Sequence, residues 1–486
     1  MYRSLGEECG VFGIYGEDAQ CGPELTYLAL YALQHRGQES CGIAVNDDGV
    51  INYYRDTGLV PEVFTKERLQ QLGTGRMALG HVRYASSPGN RSSAQPLVVR
   101  HIKGSMALAH NGNLTNAAQL REELEMQGAI FHSGTSAEVM SHIIIKERLE
   151  SESIEQAVEK AMYRIQGAYS LLIMSPSKLI AARDPVGFRP LCMGELGGGV
   201  VFASETCALD SIGAKFVRDV QPGEIVVVTR EGICSIQTHM KNKGSLCVFE
   251  LIYFARPDSV IEGVSVHGAR LEAGKLLARE HPIEADVVIG VPDSGLDAAL
   301  GFSRESGIPY GVGFIKNRYV ARTFIQPTQQ QRETSLGIKL NVIADTIKGK
   351  RVVLVDDSIV RGTTSGRIVG LLKQAGAAQV HMRISSPPFR HPCYFGTDID
   401  AREKLIANKM SVEEIATKVG VDSLGYLSIE SAGKVAAGVN REFCNGCFTG
   451  KYPLPEPGPA QKSKFEQPIS RHAPSSKSFV MSLDTE

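Results

Sequence analysis

No tryptophan occurs in this chain of 486 residues. No stretch approaches the roughly 18 consecutive apolar residues of a membrane span. Charge of neither sign predominates: Lys and Arg number 52 against 53 Asp and Glu, which argues against bulk electrostatic capture of nucleic acid. Residues 1–8 lack the basic-then-apolar order of a secretory leader. We therefore expect a cytoplasmic protein with neither a membrane nor a nucleic-acid partner. Cysteine is sparse, with 10 residues scattered over the chain. That is not a secreted disulfide framework, so the cysteines raise the question of metal binding or catalysis. What is present is an ordinary globular mixture, 43% hydrophobic and 22% charged. At roughly 100 to 200 residues per domain the length allows two to four domains. Glycine is abundant at 50 residues, as tight turns and phosphate-binding loops require.

The first half reads as short β-type runs bounded by Gly, Asn and Ser: Gly10–Tyr15, Gly42–Val45, Met106–His110, Ser170–Met174 and Val200–Ala203. Two helical stretches, Asn116–Gln127 and Ser136–Leu149, lie between them, the second with Thr135 or Ser136 as a cap. Helices segregated from largely antiparallel strands imply a layered α+β domain. Beyond about residue 235 the rhythm becomes β-α-β. Apolar runs Asp286–Val291, Arg351–Val355 and Gln379–Ile384 alternate with helical segments Leu271–His281, Gly295–Glu305 and Ser365–Ala375, the pattern of an α/β doubly wound parallel sheet. The Pro-, Ser- and Lys-rich stretch 454–486 reads as a mobile tail. The expected division is thus a leader over 1–8, a first domain over 9–235, a second over 236–453, and the tail.

In the second domain the strand Val352–Val355 runs into Asp356, Asp357, Ser358, Ile359, Val360, Arg361, Gly362, Thr363, Thr364 and Ser365. Adjacent acids at a strand end can hold ribose hydroxyls and a divalent cation. The Gly and hydroxyl loop that follows offers N–H and O–H groups to a phosphate at a helix N-terminus. The run resembles the type I phosphoribosyltransferases, which bind 5-phosphoribosyl 1-diphosphate (PRPP). The resemblance implies a PRPP site with Mg2+ at Asp356, Asp357 and Ser294, and places Asp293, Ser294 and Gly295 beside the diphosphate. Lys316, Arg322, Arg332 and Lys339 fall in a cationic, Gln-rich stretch suited to closing over a polyanion.

In the first domain Cys9 is followed by Gln34-His35-Arg36-Gly37-Gln38-Glu39-Ser40, Gly80-His81-Val82-Arg83-Tyr84-Ala85 and Ala109-His110-Asn111-Gly112-Asn113. This set resembles the N-terminal-nucleophile glutamine amidotransferases, with a four-layer α+β fold. The resemblance implies that residues 1–8 are removed as a propeptide and that the freed α-amine of Cys9 activates its own thiol. It also implies that Asn111 and Gly112 form an oxyanion hole and that Arg83 pairs with the α-carboxylate of glutamine. Arg36 and His81 read as structural supports. One position departs from the pattern: Ser136 stands where that family has an Asp gripping the α-ammonium group, which leaves Glu138 or another acid to substitute.

Cys444 and Cys447 form a CxxC, which alone fits zinc, redox exchange or coincidence. With Cys247 and Cys393 the count reaches four thiolates, enough for a [4Fe-4S] cluster or a structural zinc. The contexts Cys247 with Ile252–Ser259, Pro387–Cys393 and Cys444–Pro453 resemble the propeptide-bearing, iron-sulfur subgroup of the amidophosphoribosyltransferases, which favours the cluster. Together the resemblances imply an enzyme that hydrolyses glutamine and passes ammonia to PRPP, giving 5-phosphoribosylamine, glutamate and diphosphate at the start of purine synthesis. They further imply a homotetramer and feedback inhibition by purine nucleotides. An ammonia-dependent transferase with an impaired glutaminase, and a non-catalytic PRPP-sensing regulator, are the alternatives.

Overall fold

The computed structural model describes residues 9–16, 22–84, 91–240, 244–317, 340–397, 399, 402–436 and 441–457. The strand Cys9–Tyr15 is buried along its whole length because both of its faces are covered. It lies inside a seven-stranded sheet ordered Lys215–Asp219, Cys192–Leu196, Gly199–Ala203, Cys9–Tyr15, Met77–Arg83, Ser40–Asp47 and Val50–Thr57. All neighbours in it are antiparallel. A six-stranded antiparallel sheet packs against it, ordered Gly232–Ile236, Ile225–Thr229, Leu179–Arg183, Gly167–Met174, Gly104–Leu114 and Leu97–His101.

The two-residue period of a strand sorts the side chains. Val11 and Tyr15 join Ala107, Ala109 and Leu172 between the sheets. Phe12 and Ile14 face Ala29 and Leu30 of the helix Gly22–Ala32 on the outside. Helices Ser136–Leu149 and Ile154–Arg164 cover the outer face of the second sheet through Met140, Ile143 and Val158. The result is the expected four layers: helix, sheet, sheet, helix. The sequence reading missed the helices Gly22–Ala32 and Ile154–Arg164. Ser153 caps the latter by accepting from the Gln156 N–H. Thr135 precedes the helix Ser136–Leu149 without a capping bond, its hydroxyl facing Ser133 instead.

The second domain is built on a parallel sheet ordered Val287–Gly290, Arg351–Asp356, Gln379–Ile384 and Ser423–Tyr426. Helices Val266–Glu280 and Gly295–Ser306 bury Leu277, Ala298 and Phe302 on one face. Thr363–Gln374 and Val412–Val419 bury Ile368, Leu372 and Ile415 on the other. The sheet is therefore doubly wound. The first of these helices begins earlier than Leu271 because Ser265 accepts from the Gly268 N–H and starts it at Val266.

Two sets of contacts cross the expected boundaries. A division at residue 235 cuts the strand Gly232–Ile236, and buried His239 still bonds to the first domain through Nε2 and the Glu159 carbonyl, 2.8 Å apart. The C-terminal stretch is anchored past 454: Leu454 packs beside Phe395, and Tyr394 donates to Glu456 at 3.1 Å. The leader, Arg322, Arg332, Lys339 and the rest of the tail lie outside the described residues. Among the described residues no helix is long and apolar enough to cross a membrane.

Candidate functional sites

Three strands bring the first constellation together. Cys9 opens its strand opposite Arg83, and Arg83 lies opposite Ser40 on its other side. From the second sheet, Asn111 meets Cys9 directly: its Oδ1 accepts the Cys9 N–H at 3.2 Å. The other amide atom, Asn111 Nδ2, is buried with no hydrogen-bond partner among the described residues. A donor left in that state is costly unless a ligand completes it. Gly112 follows with φ +136°, and a Cβ there would stand 2.1 Å from the Ala168 carbonyl oxygen, so only glycine fits.

Arg83 is wholly buried and its Nη1 pairs with Glu39 at 3.0 Å. Arg36 donates from Nε to the Cys9 carbonyl at 2.9 Å. His81 Nε2 faces the His110 carbonyl at 3.1 Å. Burial, followed by the neighbouring His110, pushes the His81 pKa down to about 3, and burial, followed by Arg83, pushes His110 down to about 4. Both rings are therefore neutral at pH 7.

Ser136 sits beside this group, its Oγ 3.2 Å from His110 Nε2. Glu138 does not replace the missing acid. Its carboxylate accepts the N–H groups of His132 and Ser133 and the Ser133 hydroxyl, each at 2.7 Å.

The second constellation lies at the carboxyl edge of the parallel sheet, where ligands of open α/β sheets bind. Asp356 ends its strand and Asp357 follows it, both buried. Burial and then the charge of Asp357 push the Asp356 carboxyl well above the usual range. Ser294 donates to Asp357 at 2.7 Å, and Ser358 donates to its other oxygen. Gly295 permits this approach of the two loops, since a Cβ there would be 2.6 Å from the Val355 carbonyl oxygen. Lys316, on the strand Phe314–Lys316, forms an ion pair with Asp293. Arg361 precedes Gly362, whose φ of +79° turns the chain into the helix Thr363–Gln374. Thr363, Thr364 and buried Ser365 form its first turn. Two crowded carboxylates, one of them resisting ionisation, form a donor set suited to a divalent cation.

The third constellation is the set of four cysteines. The strand Ser245–Cys247 pairs in parallel with Glu442–Cys444, setting Cys247 beside Cys444. Cys393 and Cys447 pack into the same apolar surroundings. Burial raises the Cys247 thiol to about 11, with Cys393 adding to the rise. Burial and then the other three sulfurs raise Cys447. Among the described residues no three His, Cys, Asp or Glu side chains are arranged around a single metal ion.

Sequence reasoning missed the ionic groups that join these sites. Glu250, buried just after Cys247, accepts from Arg36 and from Arg189, the latter at 2.7 Å. Glu205 accepts from Arg36 at 2.6 Å and from Ser259 at 2.7 Å. Each is a lone charge with no motif of its own.

Comparison with known proteins agrees with both halves. A glutamine amidotransferase domain family matches residues 81–211, and a phosphoribosyl transferase domain family matches residues 267–386. An amidophosphoribosyltransferase of Archaeoglobus fulgidus is 49% identical over 93% of this chain and 99% of its own. That of Bacillus subtilis is 48% identical over 93% and 95%. A solved structure of the allosteric regulatory enzyme of purine biosynthesis superposes with TM-score 0.87 at 47% identity, over 92% of this chain and 97% of that one. The glutamine PRPP amidotransferase from B. subtilis complexed with ADP and GMP does so with TM-score 0.85 at 48% identity, over the same shares. With such identity along nearly the whole of both chains, and with both halves of the site in place, this chain belongs to the amidophosphoribosyltransferases, the glutamine-dependent PRPP amidotransferases of purine biosynthesis.

Proposed function

We propose that Cys9, released as the first residue by removal of residues 1–8, is the glutaminase nucleophile, and that Asn111 and Gly112 stabilise the oxyanion. The observation that carries this reading is the placement of Asn111. One amide atom holds the Cys9 nitrogen at 3.2 Å, while the other is a buried donor without a partner among the described residues. After processing, that nitrogen is an α-amine placed to take the thiol proton as sulfur attacks the glutamine amide. Charge then develops on the amide oxygen, where Asn111 Nδ2 and the Gly112 N–H donate. Arg83 takes the substrate α-carboxylate, sharing its guanidinium with Glu39.

Ammonia goes to PRPP held by Gly362, Thr363, Thr364 and Ser365 at its phosphate and by Asp293, Ser294, Gly295, Arg361 and Lys316 at its diphosphate side, with Arg322 and Lys339 closing over it. Ser358 also binds PRPP, Asp356 and Asp357 hold the ribose hydroxyls, and with Ser294 they would hold Mg2+, which when bound would neutralise the departing diphosphate. The chain then has a glutaminase half and a transferase half, with the cysteine-bearing C-terminal region part of the second.

Cys247, Cys393, Cys444 and Cys447 are the ligands of a [4Fe-4S] cluster with a structural role. Burial raises the thiols of Cys247, Cys444 and Cys447, which makes them expensive to ionise without a cationic centre among them. On this reading the chain is of the iron-sulfur, propeptide-bearing subgroup. The ADP and GMP bound to the B. subtilis relative support purine nucleotides as feedback inhibitors, and a homotetramer is the expected assembly.

Cys9→Ala tests the assignment. Glutamine-supported PRPP consumption should vanish while ammonium-supported consumption persists. Loss of both rates, or of neither, would contradict it. Iron and sulfide analysis of anaerobically purified protein tests the four cysteines, with one zinc per chain as the contrary result.

A further inference from the structure

The strand that carries Asn111 and Gly112 is not supported by its own domain alone. Beyond Cys393 the second domain sends the segment Tyr394–Thr397 directly against it. Asn113 Nδ2 donates to the Tyr394 carbonyl at 3.0 Å. Gly396, at φ +106°, touches Gly112 so closely that a Cβ on Gly396 would lie 3.1 Å from the Gly112 Cα and 3.2 Å from its carbonyl carbon. Gly112 is thereby clamped between Ala168 of its own sheet and Gly396 of the other domain.

The clamping segment is itself fixed. The Phe395 carbonyl accepts from Arg189 Nε at 3.3 Å and Nη2 at 3.1 Å, and Thr397 Oγ1 accepts from the same Nη2 at 3.1 Å. The Phe395 ring stacks on Phe188 with centroids 4.2 Å apart. At its other end the Phe395 N–H donates to Cys393 Sγ at 3.4 Å. The segment therefore cannot shift without disturbing Arg189, Phe188 or the cysteine site.

We propose that Tyr394–Thr397 is a positioning element for the glutaminase: the transferase domain, through Gly396 and the Asn113–Tyr394 bond, sets where the Gly112 N–H points. This rests on the reading of Asn111 and Gly112 as oxyanion donors. A change at the cysteine-bearing segment would then alter the rate of glutamine cleavage without altering Cys9 or any group that binds glutamine.

The test uses the full-length protein with three variants and two assays, glutamate release and ammonium-supported PRPP consumption. Gly396→Ala introduces a methyl against Gly112, and a misplacement of under an ångström should lower kcat for glutamate release about 10- to 100-fold with KM for glutamine held within about twofold. Ammonium-supported turnover should stay at its wild-type value. Asn113→Ala, which removes one hydrogen bond and adds no bulk, should lower kcat in the same way by about fivefold, and stands in if Gly396→Ala does not fold. Unchanged kcat in the folded variants overturns the proposal. So does a rise in KM alone, which would assign the segment to binding, or an equal loss of ammonium-supported turnover, which would mean general damage. Asn111→Ala separates the two levels. If it leaves glutamate release intact, the oxyanion reading itself fails. If it abolishes release while the other two variants are normal, only the positioning role fails.

Discussion

Arg36 and Glu250 meet across the domain junction through two hydrogen bonds, 2.9 Å from Nη1 and 2.8 Å from Nη2, with both side chains buried. The same guanidinium holds the Cys9 carbonyl and Glu205. Burial opposes ionisation of Glu250, yet Arg36 and then Arg189 hold its pKa below the ordinary carboxylate range. Through Arg36, the strand of Cys9 and the chain beside Cys247 thus share one carboxylate as their common anchor.

Glu250→Gln leaves two buried guanidinium groups with too little negative charge. We expect a loss of about 3 to 5 kcal/mol of stability, the usual consequence of stripping one partner from a buried pair. Urea unfolding at pH 7.5 measures it. A wild-type midpoint would show that Glu205 alone balances Arg36.

Ser136→Asp restores an acid beside neutral His110. A hydrogen bond to a charged group contributes about 1.5 to 3 kcal/mol, so KM for glutamine should fall roughly 10- to 100-fold. Ammonium-supported turnover, which needs no amino-acid site, should not change. An unchanged KM would mean that the α-ammonium group is bound elsewhere.

His81 gives the stability a pH dependence of known sign. Its folded pKa, lowered by burial and then by His110 to about 3, lies below the unfolded value. The unfolded chain therefore binds the extra proton first, and stability present above pH 6.5 is lost as pH falls towards 3. Between pH 7 and pH 5 wild type should lose about 2 kcal/mol relative to His81→Gln. Taking the difference between the two proteins cancels Asp184, whose carboxyl burial raises to about 6 and which acts in the opposite sense. Parallel unfolding curves at the two pH values would refute the buried neutral state.

Binding of Mg2+ with PRPP should expel a proton, because Asp356 resists ionisation beside Asp357. Calorimetric titration in two buffers of different ionisation enthalpy reads it. Heats independent of buffer would show the pair already fully ionised. Asp357→Asn should remove the proton release and lower PRPP turnover by about 100-fold or more while sparing glutamate release.

The two sites differ in how far they could be read in advance. Strand, acids, loop and helix start of the transferase site follow one another from Val352 to Ser365, so local pattern alone places them together. Cys9, Arg83 and Asn111 come from three strands in two sheets, and nothing in their spacing implies contact; resemblance supplied it. Glu250, Arg189 and Gly396 were not legible by either route. Each is a single residue whose significance arises only when the domains meet, and neither burial of a charge nor a close glycine contact leaves a periodic trace in sequence.

The parallel pairing of Ser245–Cys247 with Glu442–Cys444 has a temporal consequence. Cys247 leaves the ribosome before the sheet of its own domain, whereas Cys444 and Cys447 follow that sheet's last strand, Ser423–Tyr426. The four sulfurs are thus complete only once the chain has been made past that last strand. A chain cut short before Glu442 therefore carries Cys247 and Cys393 without Cys444 and Cys447, and its strand Ser245–Cys247 is without this partner.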